Sequence, residues 1–214
     1  MPERELWVVG DELAMPTARR LILAAERLFA ERGIDAVSLR AVNAAAGTNV
    51  ASVNYHFGTK AELVEALILE RSGEVSARRA ALLDELERVG LTARGLAEAF
   101  VTPVAEMALS DGNTWVRFIA GILGSGHPAL AVVTGAFTEQ ALRLTGLLEA
   151  IVPGESRETV RFRLAQAMSL TFRVLGDVDG VQDMMALSGV ELSPQQVVEQ
   201  LLDVVTAILA GPPG

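Results

Sequence analysis

The chain has no cysteine and only two histidines, His56 and His127. Without cysteine there is no disulfide framework, no thiolate metal site and no thiol nucleophile, which fits a reducing compartment. The two imidazoles lie far apart in sequence, with no Glu-x-x-His or His-x-x-x-His spacing, so no helix face offers a set of metal ligands. No metal and no cofactor is expected. Lysine occurs once, at Lys60, and aromatic residues make up 5% of the chain. No apolar run reaches the ~18 to 20 residues of a spanning helix, because charges such as Arg143, Arg161 and Asp203 interrupt every long candidate. A membrane partner is therefore not expected. The opening stretch MPERELWVVGDELAMP carries four acids against one arginine, the wrong sign for a signal or transit peptide, and a cytoplasmic location is expected.

What is present favours helix. Half of the 214 residues are apolar, with abundant alanine, leucine and valine, and small or unbranched side chains lose little rotamer freedom in a helix. The length suits one large domain or two smaller ones. A net charge of −9 argues against bulk electrostatic binding of nucleic acid. The charge is uneven, however: from Thr17 to Arg71 seven basic residues face six acids, whereas both flanking regions are acidic.

Residues 17–33 place Leu21, Ala25, Leu28 and Phe29 at helical spacing, with Thr17 as expected N-cap and Gly33 as stop. Ser38 is expected to cap a short second helix carrying Leu39, Val42 and Ala46, which ends at Gly47. After a turn at Thr48 and Asn49, a third helix is expected from about Val50 to His56, with Val53 and Phe57 turned inward. Thr59-x-x-Glu62 reads as a capping box opening a long helix toward about Val89. Further helices are expected near 92–109, 113–124, 128–151, 156–176 and 194–210, with a Gly/Asp-rich loop around 176–192. No segment alternates as a strand would. The expected fold class is all-α, divided into an N-terminal arm (1–16), a three-helix domain (17–62), a helical bundle (63–211) and a short tail (212–214).

Two short helices joined by a glycine-containing turn form the arrangement that sets a recognition helix in a DNA major groove. One face must bury apolar residues, here Val53 and Phe57. The other must offer small and polar groups, here Ala51, Ser52, Asn54 and Tyr55. Asn54 suits a bidentate pair with an adenine edge, and Tyr55 suits a sugar or a thymine methyl. Lys60 begins the following helix, where free N–H groups already favour an anion. Ser38, Arg40 and His56 are placed to hold further phosphates.

The stretch Ala45 to Leu63, AAGTNVASVNYHFGTKAEL, closely resembles the helix-turn-helix signature of TetR-family transcriptional regulators. The resemblance covers about residues 17–71 and is most specific at Tyr-His-Phe-Gly-Thr-Lys followed by Glu62 and Leu63. It implies DNA contacts at Ser38, Thr48, Asn49, Ser52, Asn54, Tyr55, His56 and Lys60. It further implies a carboxy-terminal domain that binds a small molecule and dimerises, and a function as a homodimeric repressor released from a palindromic operator. The chain departs from the commoner pattern at Thr48, Asn49 and Asn54. These departures bear on the operator sequence and leave the expected fold intact.

In the carboxy-terminal bundle, Phe100, Met107, Trp115, Phe118, Ile122, Phe137 and Phe172 supply apolar volume for an effector cavity. Arg117, Arg143 and Arg173 are the cations set among apolar residues. The last two long helices are apolar over more than one face. The resemblance makes them the expected homodimer interface, with Phe162, Met168, Leu201, Val205 and Leu209 at the contact. The alternative is a helical effector-binding interaction protein or enzyme in which the helix-turn-helix is only scaffold. For the enzyme, no nucleophile, base and acid fall at a suitable spacing, and Ser125 lacks a strand-turn-helix context.

Overall fold

A computed structural model describes residues 15–212. The arms expected at the two termini lie outside the described residues apart from Met15, Pro16 and Pro212. The described residues form eleven helices and no strand: α1 (Thr17–Arg32), α2 (Leu39–Ala45), α3 (Ser52–Phe57), α4 (Lys60–Val89), α5 (Ala93–Ala108), α6 (Asn113–Ser125), α7 (Leu130–Ala136), α8 (Thr138–Ile151), α9 (Arg157–Leu175), α10 (Val178–Leu187) and α11 (Pro194–Ala210). The chain divides into two compact units, Met1–Glu70 and Arg71–Gly214, and the division falls within α4.

In the first unit α1 packs on α2 and α3, and α2 packs on α3. Their shared core is Leu21, Ala25, Phe29, Val42 and Val53, closed by Leu63 and Leu67 from the start of α4. Ser38 caps α2 as expected, its hydroxyl accepting from the Ala41 N–H at 3.2 Å. Thr17 does not cap α1. Pro16 holds that position with no side-chain cap, and its carbonyl accepts from the Arg20 N–H at 3.2 Å. A proline just before a helix has its φ already set, so Thr17 becomes the first helical residue.

The second unit is organised around α9, which packs against α5, α6, α8, α10 and α11. Val160, Leu164, Ala167, Phe172 and Leu175 are buried along it. The one buried hydroxyl in that row, Thr171, donates to the Ala167 carbonyl at 2.7 Å, so the polar atom enters the core already paired. Gly176 ends α9 where a Cβ would stand 2.8 Å from the Ala120 Cβ and 2.7 Å from the Phe172 carbonyl. A larger residue would push α9 away from α6.

Two expected boundaries change. The helix expected over 128–151 is broken at Phe137, whose backbone leaves helical values (φ −112°, ψ 8°) while its ring is buried. The loop expected around 176–192 contains α10. Asp177 caps it by accepting from the Gly180 N–H at 3.3 Å, Val178 is buried, and α10 packs on α9 and α11. Capping and tertiary packing there outweigh the low helix propensity of glycine and aspartate.

Helix α11 packs on α5 as well as on α9 and α10, and this corrects part of the expected dimer surface. Leu201, Val205 and Leu209 are buried within the chain itself. Replacing Leu201 by alanine should therefore lower the free energy of unfolding by about 2–5 kcal/mol, read from the urea midpoint, as expected for a truncated core leucine.

Candidate functional site

The turn between α2 and α3 is built around one buried side chain that the sequence analysis did not single out. Asn43 is 1% exposed. Its Nδ2 donates to the carbonyls of Leu39 (2.9 Å) and Val50 (3.1 Å). Its Oδ1 accepts from the Val53 N–H (3.2 Å) and the Thr48 hydroxyl (3.0 Å). A single amide thus ties α2, the turn and the first turn of α3 together, and it pairs the Val53 N–H inside the core. A polar residue at a core position of α2 was the available signal.

Three of the expected DNA contacts are drawn into this framework. The Thr48 hydroxyl donates to Asn43. Asn49 Oδ1 accepts from the Ala51 N–H and the Ser52 hydroxyl, each at 3.0 Å. Ser52 is buried as a result. Of the three, Asn49 remains exposed.

The outward face carries Asn54, Tyr55 and His56, all exposed, with Tyr55 at 85%. The rings of Tyr55 and His56 meet edge to face, centroids 5.0 Å apart. Exposed Ser38 and Arg40 stand at the start of α2. Phe57, expected to face inward like Val53, is only half-buried.

At α4 the expected capping box is present. Glu62 Oε2 accepts from the Thr59 N–H (2.8 Å) and hydroxyl (2.7 Å), and the Glu62 N–H donates to the Thr59 hydroxyl (3.2 Å). Gly58 precedes it at φ 78°, where a Cβ would stand 2.6 Å from the Glu62 carboxylate. Lys60 is half-buried, its ammonium 5.9 Å from the centre of the Phe29 ring. The carboxylate of Glu62 already occupies the helix terminus, where a phosphate would have to compete with it.

The second unit holds a cavity of about 350 Å³. Of the expected lining residues, Phe100, Phe137 and Phe172 line it. Met107, Trp115, Phe118 and Ile122 are buried core and are not among its lining, though Trp115 stands edge-on to Phe172 at 6.4 Å. Met168, expected at the dimer surface, lines the cavity instead. Arg143 pairs with Asp84 (2.6 Å) and Glu87 (2.5 Å), while Arg117 and Arg173 are exposed.

The buried cation at this cavity is Arg79, on the same stripe of α4 as Val75, Leu83 and Leu86. Its Nη2 donates to the Phe100 carbonyl at 3.0 Å, and its guanidinium lies 4.9 Å from the Phe100 ring centre and 5.6 Å from that of Phe137. Loss of hydration lowers its pKa to about 10. The group stays charged at neutral pH at a cost on the order of 3 kcal/mol, which is relieved only as pH rises through the folded value. An arginine at a core position of an amphipathic helix is the sequence signal for this site.

The fold is a helix-turn-helix unit and a helical bundle that holds a cavity. Residues 21–67 match the family of bacterial regulatory proteins of the tetR family, and residues 98–207 match the tetracyclin repressor-like C-terminal domain. The chain belongs to the TetR family of transcriptional regulators, and the family's matched members are not enzymes. It is 35% identical over 91 residues to the probable HTH-type transcriptional regulator ArpR of Pseudomonas putida, across 42% of this chain and 43% of that protein. The match thus spans less than half the length of that relative. Its fold is similar to that of SCO4454, a TetR-family regulator from Streptomyces coelicolor (TM-score 0.60, 21% identity, 90% of this chain and 94% of that one). It is also similar to FadR from Bacillus subtilis, solved in complex with stearoyl-CoA (TM-score 0.63, 15% identity, 91% and 99%). No single helix among the described residues is long and apolar enough to cross a membrane.

Removing the Asn43 side chain strands the Val53 N–H and the Val50 carbonyl together. Asn43→Ala should cost roughly 1–3 kcal/mol in thermal or urea unfolding. Asn54→Ala, on the solvent side of the same motif, should cost under about 0.5 kcal/mol, and equal losses would remove the distinction between framework and reading face.

Proposed function

We propose that the chain is a homodimeric repressor that binds a palindromic operator and is released from it by an apolar or amphipathic small molecule. The observation that carries this reading is the division of labour at α3. Asn43 fixes the helix from inside, and Asn54, Tyr55 and His56 stand exposed on the outside. Asn54 reads a base edge, and Tyr55 contacts sugar or a thymine methyl. Ser38, Arg40, Asn49, His56 and Lys60 hold phosphates and set the register. Thr48 and Ser52 act through the shape of the turn.

Two such helices in a symmetric dimer meet half-sites roughly 34 Å apart or a multiple of that. The cavity of the second unit is the effector site. FadR of Bacillus subtilis, with a similar fold, was solved with stearoyl-CoA, which supports an amphipathic effector here. An effector that prefers a conformation with the wrong half-site spacing needs only ~1–3 kcal/mol of coupling to weaken operator binding severalfold to about a hundredfold.

For the dimer, the burial of Leu201, Val205 and Leu209 moves the proposed contact to the outer faces of the same two helices. Phe162 on α9 is 64% exposed and Val204 on α11 is 49% exposed. A large exposed aromatic on a helix already buried on its other sides is a natural anchor for a second copy.

Selection from random duplex DNA should enrich a palindrome, and a folded protein that enriches nothing would refute the operator reading. With the selected site, Lys60→Ala should weaken binding to all sequences alike and reduce the salt slope by about one phosphate contact. Asn54→Ala should instead relax selection at one or two base pairs. Phe162→Glu should give monomers in light scattering, and an unchanged dimer mass would place the interface elsewhere.

A further inference from the structure

We propose that the cavity of the second unit takes an amphipathic carboxylate, with its chain among the phenylalanines and its head paired to Arg79. This rests on reading the cavity as the effector site and adds the charge of the effector. The cavity wall has no acidic residue, and its two ionisable groups are both guanidinia, Arg79 in the buried part and Arg161 on an exposed stretch of α9.

Arg79 is the decisive group. It is 4% exposed, it makes one described hydrogen bond, to the Phe100 carbonyl, and its Nε is buried with no partner. A guanidinium offers five N–H donors in a planar fork that fits a carboxylate in bidentate fashion. Two aromatic faces, Phe100 and Phe137, hold the fork from the sides without satisfying its donors. Buried cations are ordinarily matched by an acid of the same chain, because removal from water is costly. Elsewhere in this unit the other buried arginine, Arg71, has Asp111 at 3.4 Å, and the more exposed Arg78, Arg94 and Arg143 each have an acid as well.

The remaining wall matches the rest of such a ligand. Leu144, Leu164, Met168 and Phe172 supply apolar surface. The Thr145 hydroxyl already donates to the Ala141 carbonyl at 2.7 Å, and Gln140 Oε1 accepts from Ser76 at 3.0 Å. These polar groups are engaged within the protein. A volume of about 350 Å³ falls at the small end of small-molecule sites, which run from ~300 to 1,000 Å³.

The test is calorimetric titration of the full chain with three probes of one chain length: decanoate, 1-decanol and decyltrimethylammonium. Decanoate is expected to bind at least tenfold more tightly than decanol, and the cation more weakly than either. Arg79→Met, which fills the same space without the charge, should erase the preference for decanoate while decanol still binds. Arg161→Gln should keep most of that preference. Equal binding of decanoate and decanol to the unaltered protein overturns the proposal while leaving an apolar effector cavity, and this comparison needs no variant to fold. A preference that survives in Arg79→Met, or is lost only in Arg161→Gln, overturns the assignment to Arg79. If none of the three probes binds, the reading of the cavity as an effector site falls as well.

Discussion

The burial of α9 on several sides is the constraint around which the carboxy-terminal unit is arranged. A helix with Val160, Leu164, Ala167, Phe172 and Leu175 turned into neighbouring helices has to be wrapped, and α5, α6, α8, α10 and α11 do this. Thr171 pairs within its own helix and Gly176 lets α6 approach, so neither interrupts the core. The cavity is the place where this wrapping is incomplete. Its wall is a continuation of the core, from Phe172 to Phe100 and Phe137, and so its apolar character follows from the fold.

The amino-terminal unit solves a different problem with far fewer residues. Helices of seven and six residues are too short to hold themselves in water, and packing of Val42 and Val53 alone would leave the turn between them loose. Asn43 supplies the missing definition through four hydrogen bonds from one buried amide. The same bonds divide the motif into an inner and an outer set. Thr48 and Ser52 belong to the inner set although their positions in the sequence pattern suggested the outer one.

Arg79 and Asn43 share a feature that composition and periodicity conceal. Each is a polar residue in an otherwise apolar stripe, and each acts through partners beyond its own helix. For Asn43 the partners are three backbone groups and the Thr48 hydroxyl, which together satisfy its amide. For Arg79 they are two aromatic rings and one carbonyl, which satisfy it in part. The three arginines that looked set among apolar residues, Arg117, Arg143 and Arg173, lie at the surface, because a helix carries apolar and exposed positions side by side every few residues.

Local chemistry was sufficient for most of the elements. The Ser38 cap, the Thr59 and Glu62 capping box and the capped start of the helix at 194 all rest on contacts within about four residues, which a linear chain displays openly. Contacts between helices are invisible to such spacing. Only the tertiary structure decided that Phe137 breaks a helix, that 178–187 forms one, and that Leu201, Val205 and Leu209 are covered by this chain's own α5 and α9. It also decided that Arg79 is the buried arginine of the cavity wall, with Arg161 on its exposed side. Sequence by itself determined which stretches become helices and which motif they build, because capping and periodicity are short-range. Which face of each helix meets which neighbour was decided by packing, where every buried side chain depends on all the others.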